Sequence, residues 1–195
     1  YYNLELLKKD AEYDKNFLRL YKKFSPGPLT YILKKKKKSK VSKFANAELK
    51  TIAVRFPKNK IIRSLLKKLT FPLAIPSANI STGVSPTEPL DVVDEFKNKI
   101  KFILNGGKSL IGLESTVINL SSKPAILRPG SISHTQIEKV LRKKVSNVTK
   151  SKFVISPGMH KRHYSPGIPI KLNSIKPDYK ACLLYTSDAA DEGSS

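Results

Sequence analysis

Ile75-Pro76-Ser77-Ala78-Asn79-Ile80-Ser81-Thr82-Gly83-Val84-Ser85-Pro86-Thr87 follows an apolar run, Phe71 to Ile75, and precedes a helix-like segment that opens at Glu88. The pattern predicts a strand end running into a long polar loop. Within it lie the hydroxyls of Ser77, Ser81, Thr82, Ser85 and Thr87, the amide of Asn79, and Gly83, with no carboxylate. Neutral donors and acceptors without acidic competitors suit a polyanionic ligand. The same residue types are also what an ordinary turn uses, so the stretch by itself leaves both readings open.

Working outward, the flanks predict an α/β chain. Leu4, Leu7, Ala11, Phe17, Leu18 and Tyr21 have near-helical spacing, giving one helix over Leu4 to Phe24 or two broken near Asp14 to Asn16. Ser25-Pro-Gly-Pro stops it, and Leu29 to Leu33 reads as a strand. The block Lys34 to Lys38 with Lys40 reads as a solvated loop. Thr51 to Phe56 alternates as a strand ended by Pro57, and Ile61 to Leu69 is amphipathic, with Ile62, Leu65, Leu66 and Leu69 on one side.

Downstream, Glu88 to Lys97 predicts a helix that turns Leu90, Val93 and Phe96 to the core. Glu88 and Asp91 sit at its positive end. Short strands follow at Phe102 to Leu104, Val117 to Leu120 and Ala125 to Leu127, the last two joined by a turn at Ser121 to Pro124. Ser133 with Gln136 three residues on predicts a capped helix ending near Lys144.

Composition narrows the function classes. The 195 residues suffice for one sizeable domain, and no apolar run is long enough to span a membrane, so a cytoplasmic setting is expected. The single cysteine, Cys182, excludes an internal disulfide framework and a Cys-based zinc site. The net charge of +22 invites a nucleic-acid reading. The excess, however, is 31 Lys against 6 Arg. Sequence readout favours the arginine fork, and lysine richness also follows from an AT-rich genome, so general polyanion affinity is the most that charge supports.

The chemistry-bearing residues gather at strand ends, where α/β folds bind ligands. These are Thr51 and Arg55, Ser77 and Asn79, Ser115 and Thr116, and Arg128. Two arginines among hydroxyls and amides could hold a carboxylate and a triphosphate. There is no Ser-His-Asp or Cys-His arrangement and no phosphate-cradling Gly-rich loop with its lysine. His160 and His163 lie three apart among prolines and glycine rather than at helical ligand spacing. Each residue singly has a plain structural alternative. Arg55 could be a surface ion-pair residue, Glu114 a salt-bridge partner rather than a base, and the Arg128-Pro-Gly stretch a turn.

Taken together and in order, Pro26-Gly-Pro-Leu-Thr, Thr51-Ile-Ala-Val-Arg-Phe-Pro, Pro76-Ser-Ala-Asn, Ser85-Pro-Thr, Gly106-Gly, Gly112-Leu-Glu-Ser-Thr-Val and Arg128-Pro-Gly resemble the YrdC-like family of L-threonylcarbamoyladenylate synthases. Ser156-Pro-Gly-Met and His163-Tyr-Ser-Pro resemble the linker of its longer two-domain members. The resemblance implies a twisted mixed sheet flanked by helices, with a large open concave cavity. It also implies formation of threonylcarbamoyl-AMP and pyrophosphate from L-threonine, bicarbonate or CO2, and ATP, with Mg²⁺ on the phosphates. Partner transferase proteins then act on tRNA. Carried over by position, Arg55, Ser77 and Ser115 resemble the threonine-holding residues. Thr51, Asn79, Ser85, Arg128 and Tyr164 resemble the ATP contacts, and no residue stands out as a catalytic base or a protein metal ligand.

Three departures qualify the resemblance. The chain opens on Tyr1-Tyr2 without a Met, the family's N-terminal Thr-rich strand and Lys-x-Arg phosphate motif are not among these residues, and neither is the second domain expected beyond the linker. The expected organisation is therefore residues 1–144 as part of the synthase domain and 145–180 as a linker over the site. Residues 181–195, acidic and free of lysine, read as a non-native tail. The competing reading is a basic module for double-stranded RNA or tRNA without catalysis. It should tolerate Ser77→Ala and Asn79→Ala and lose binding as salt rises. Adenylate formation assayed on these 195 residues is expected near background, and robust turnover would overturn the incomplete phosphate site.

Overall fold

The computed structural model describes residues 1–80 and 83–147. Helix α1 (Leu4–Asp10) starts where the Asn3 side chain accepts from the Leu6 amide at 3.1 Å. Asp14 does the same for Phe17 at 3.0 Å, opening α2 (Lys15–Phe24). Such caps satisfy amide groups that a helix start leaves unpaired. Of the two expected alternatives the pair of helices is the one observed, but the break lies at residues 11–14, where the two-residue strand β1 (Ala11–Glu12) fits, and Lys15 and Asn16 already belong to α2.

Strands β2 (Leu29–Lys35) and β3 (Thr51–Arg55) pair antiparallel, and β2 pairs β4 (Thr116–Asn119) in parallel. β4 pairs β5 (Ala125–Arg128) antiparallel, and β5 pairs β6 (Ser146–Asn147) in parallel, carrying the sheet past Lys144. The result is a mixed six-stranded sheet in the order β1-β2-β4-β5-β6, with β3 against β2. Alternation sorts its faces. Tyr31, Leu33, Val54, Ile118 and Ile126 are buried in one cluster with Leu7 of α1, with Phe17 and Leu20 of α2, and with Ile137 and Leu141 of α5 (His134–Leu141). Ile32, Val117 and Leu127 form a second, smaller cluster.

Two close approaches fix the ends of these strands. At Gly27 an added Cβ would strike the Phe24 carbonyl, and at Gly130 it would strike the backbone of Glu114 to Thr116. The loop after β5 therefore lies directly on the entry to β4. Thr116 Oγ1 donates to the Ile132 carbonyl at 2.7 Å and accepts from the Ile132 amide at 3.0 Å, both buried.

Several expected features differ. Phe71 to Ile75 is not a strand; Phe71 and Ile75 are exposed. Pro72 within the run and Pro76 beyond it lack the amide donors a ladder needs. Phe102 to Leu104 is not a strand either, and Phe102 is 92% exposed. Three apolar residues have the composition of a strand but find no neighbour to pair with. Helix α3 spans Lys60–Lys67, where only Leu66 is buried and Leu65 is exposed. Helix α4 spans Pro89–Phe96 and buries none of its residues, leaving Leu90 and Val93 exposed. Apolar spacing marks a face, and says nothing about what covers it. The Lys34 block is only partly a solvated loop. β2 runs through Lys35, whose Nζ donates to the Val41 carbonyl at 2.7 Å and to Asn46 Oδ1 at 3.1 Å. The last helix ends at Leu141 rather than near Lys144, because Arg142 takes a left-handed conformation with φ 54°. The capping box predicted at Ser133 and Gln136 is present. Among the described residues no helix is long and apolar enough to cross a membrane.

Two outcomes test these local arguments. Gly130→Ala should cost about 1–3 kcal/mol through the clash with backbone, read as a lowered midpoint in denaturant unfolding; an unchanged midpoint would contradict the close approach. The Asp91 carboxylate accepts from the Thr87 and Glu88 amides at 2.8 and 3.1 Å, bonds that hold its pKa below the ordinary value. A lowered folded-state pKa stabilises above the unfolded value and is lost as acid titrates the folded carboxylate. Acidification, or Asp91→Ala at neutral pH, should therefore lower the protection factors of the Thr87 and Glu88 amides, taken against their intrinsic exchange rates, ahead of those of the sheet.

Candidate functional site

In β3 the alternation that buries Ile52 and Val54 leaves Thr51, Ala53 and Arg55 on the opposite face. Arg55 is exposed and lies directly across from Thr30 of β2. Thr30 in turn registers with Val117 of β4, and Val117 with Arg128 of β5. One level of the sheet thus carries Arg55 near one edge and Arg128 two strands beyond Thr30.

Ser115 joins them. This buried residue precedes β4, and its Oγ lies 2.8 Å from Thr30 Oγ1. Arg128 grips it with one side of its guanidinium: Nε and Nη2 donate to the Ser115 carbonyl at 3.1 and 2.8 Å, and Nη2 also to Ser115 Oγ at 3.0 Å. Glu114 sits 3.6 Å from Arg128 Nη2 and accepts from Ser85 Oγ at 2.6 Å. It therefore ties the hydroxyl-rich loop to the sheet. Its reading as a salt-bridge partner holds.

Arg55 is anchored separately, Nε donating to the Gly27 carbonyl at 3.3 Å. Although the residue as a whole is exposed, loss of hydration is the largest influence on its guanidinium and lowers the pKa. Glu114 opposes this and Arg128 adds to it. An arginine stays charged regardless. The result places Arg55, Glu114 and Arg128 within electrostatic reach of one another.

The structure thus brings Arg55, Ser115, Arg128 and Ser85 into one cluster. Thr51 opens the same strand on the same face as Arg55, four residues away, about 13 Å along an extended chain. Asn79 serves its own loop, its amide donating to the Ile80 and Gly83 carbonyls at 2.9 and 3.0 Å. Its Oδ1 is buried with no partner among the described residues. Ser77 is exposed in that loop, and no hydrogen bond among the described residues joins it to the cluster. Tyr164, His160 and His163 lie outside the described residues. Thr30 was missed. Its only signal is its place in Pro26-Gly-Pro-Leu-Thr, because the register that sets it opposite Arg55 is a long-range fact.

The cluster is one of donors: two guanidinium groups and several hydroxyls facing a single carboxylate, suited to an anion with a fixed orientation. Among the described residues no group of three or more His, Cys, Asp or Glu could hold a metal ion. A cavity of about 910 Å³ opens beside β3 at Ile52 and Ala53, with Phe71 and Lys38 among its walls. None of the sequence-predicted ligand residues lines it.

Residues 1–130 match the family model described as Telomere recombination, which covers the Sua5, YciO and YrdC proteins. Residues 132–193 match the model for the threonylcarbamoyl-AMP synthase C-terminal domain. The chain is 39% identical over 172 residues to the threonylcarbamoyl-AMP synthase of Pyrococcus abyssi, covering 86% of this chain and 49% of the relative. It is 41% identical over 170 residues to the synthase of Schizosaccharomyces pombe, covering 81% and 42%. The solved structure of P. abyssi Sua5 complexed with L-threonine superposes with a TM-score of 0.77 at 37% identity, covering 84% of this chain and 49% of that one. The chain therefore spans a little under half the length of these relatives. On sequence and fold together, it belongs to the Sua5–YciO–YrdC family, which includes the named threonylcarbamoyl-AMP synthases.

Proposed function

We propose that this chain is part of an L-threonylcarbamoyladenylate synthase and carries its threonine-holding residues. The observation that carries the reading is the Arg55, Ser115 and Arg128 cluster on one sheet level, in a chain so similar to proteins named for that activity. Arg55 pairs with the threonine carboxylate, Ser115 donates a hydrogen bond beside it, and Ser77 approaches from the loop. Thr51, Asn79, Ser85, Arg128 and Tyr164 belong to the nucleotide side. The Oδ1 of Asn79, without a partner among the described residues, is suited to an N–H donor such as an adenine amino group.

The chemistry then runs in two steps. The threonine amine attacks CO2, forming the N–C bond of a carbamate and releasing a proton. A carbamate oxygen attacks the α-phosphorus of ATP, the bond to the β-phosphate oxygen breaks, and pyrophosphate leaves with that electron pair. The protein's part is positioning and charge stabilisation rather than proton transfer. Glu114, the carboxylate at the cluster, is committed to Arg128 and Ser85. Mg²⁺ is therefore taken to arrive on the nucleotide, liganded by phosphate oxygens and water.

The product feeds transferase proteins that modify tRNA, in the cytoplasm. Residues 1–144 are taken as the synthase part and 145–180 as the linker. A C-terminal family match that begins at residue 132 supports a division in this region. The reading of residues 181–195 as a non-native tail rests on composition, and the C-terminal family match, which runs to residue 193, weighs against it.

Calorimetric titration of L-threonine into the chain tests the assignment. Saturable binding is expected, weakened at least about tenfold in Arg55→Ala, the scale of a lost hydrogen bond to a charged group. No binding by the unsubstituted chain, or unchanged affinity in Arg55→Ala, would overturn it.

A further inference from the structure

The Ser115–Thr30 contact has a proton inventory that determines what it can offer a ligand. Arginine carries only donors, so the 3.0 Å contact from Arg128 Nη2 requires Ser115 Oγ to accept. The two hydroxyls share two protons. Their 2.8 Å contact uses one, whichever of them donates. The other proton has no acceptor among the described residues. If Thr30 donates, Ser115 holds the outgoing proton; if Ser115 donates, Thr30 holds it. Either way one O–H proton of the pair is left to donate to a third group.

The location of this donor is equally constrained. Thr30 faces Arg55 across the β2–β3 ladder, where directly opposed side chains have Cβ atoms about 5 Å apart. Arg55 has one hydrogen bond among the described residues, from Nε to Gly27, which does not engage the ends of its fork. A guanidinium fork beside one oriented hydroxyl matches the two oxygens of a carboxylate. Val at position 30 has comparable β-propensity, and it would remove the hydroxyl that meets Ser115 Oγ.

We propose that Thr30 is a positioning residue for the amino-acid substrate. With Arg128 it fixes the Ser115 hydroxyl pair as a hydrogen-bond donor to the carboxylate that Arg55 holds. This rests on the threonine-site reading above and adds to it a residue and a preference. The site selects the free acid over neutral derivatives through the Thr30–Ser115 pair as well as through Arg55.

The test compares L-threonine with L-threoninamide as ligands for the full chain and its variants. The unsubstituted chain should prefer the acid. Thr30→Val should weaken L-threonine about tenfold while changing L-threoninamide less than about twofold, and Thr30→Ser should restore the preference. Equal weakening of both ligands would mark Thr30 as merely structural and overturn the proposal, as would no weakening at all. Should Thr30→Val fail to fold, Thr30→Ala against Thr30→Ser makes the same comparison. If the unsubstituted chain binds no L-threonine, the threonine-site reading itself falls. If it binds and Thr30→Val behaves like it, only the role of Thr30 falls.

Discussion

Everything at the candidate site depends on the grip of Arg128 on Ser115. A guanidinium that donates twice to one carbonyl and once to the hydroxyl of the same residue fixes both backbone and side chain. Charge-assisted bonds of this kind contribute about 1.5–3 kcal/mol each when their partners are shielded, and the Arg128 side chain is only 15% exposed. The grip is reinforced from two sides. Thr116 exchanges a pair of buried bonds with Ile132, and Gly130 lets the loop after β5 rest on the backbone of residues 114–116. Residues 114–116 are thus clamped to residues 128–132, and neither segment can shift without breaking buried polar contacts.

That clamp divides the molecule into a densely built part and a lightly tethered one. The sheet with α1, α2 and α5 contains both buried apolar clusters, apart from flanking loop residues. Residues between α3 and β4 leave Phe71, Ile75, Leu90, Phe102 and Leu110 exposed. Polar bonds tie them in, Ser85 to Glu114 and Asn59 to the Gly106 carbonyl, and the Ser109 amide holds the segment to itself at the Thr87 carbonyl. The donors proposed for the amino acid, Ser77 apart, stand on the rigid part. Ser77 and Asn79 stand on the tethered one. Glu114 is the hinge of this arrangement, since one carboxylate holds the sheet's Arg128 and the loop's Ser85 together.

How much of this was legible follows from the range of each interaction. The cap at Ser133, the Leu29 and Thr51 strands and the β4–β5 turn depend on residues within a few positions of one another, and they were read correctly. The Phe71 and Phe102 runs were misread because apolar composition is local while strand pairing is not. The exposure of Leu90 and Val93 had the same origin. Arg55, Ser115 and Arg128 were picked out as candidates, but their convergence needs the parallel β2–β4 ladder, which spans more than 80 residues of chain. Thr30 stayed hidden for that reason. A threonine in a strand is unremarkable until its cross-strand neighbour is known to be an arginine.

The balance of charge explains why the site would be built from hydroxyls and one acid. Two guanidinium groups on one sheet level repel, and Glu114 offsets part of that without filling the space an anion needs. More carboxylates would compete with an anionic ligand's own charge, while more cations would hold any anion too tightly to release. Neutral donors avoid both problems. A hydroxyl oriented by Thr30 and Arg128 gives direction without adding net charge, so it can discriminate among carboxylate geometries while contributing little to the overall field. The proposed division of labour follows: direction from the Ser115–Thr30 pair, and raw attraction for anions from the arginines.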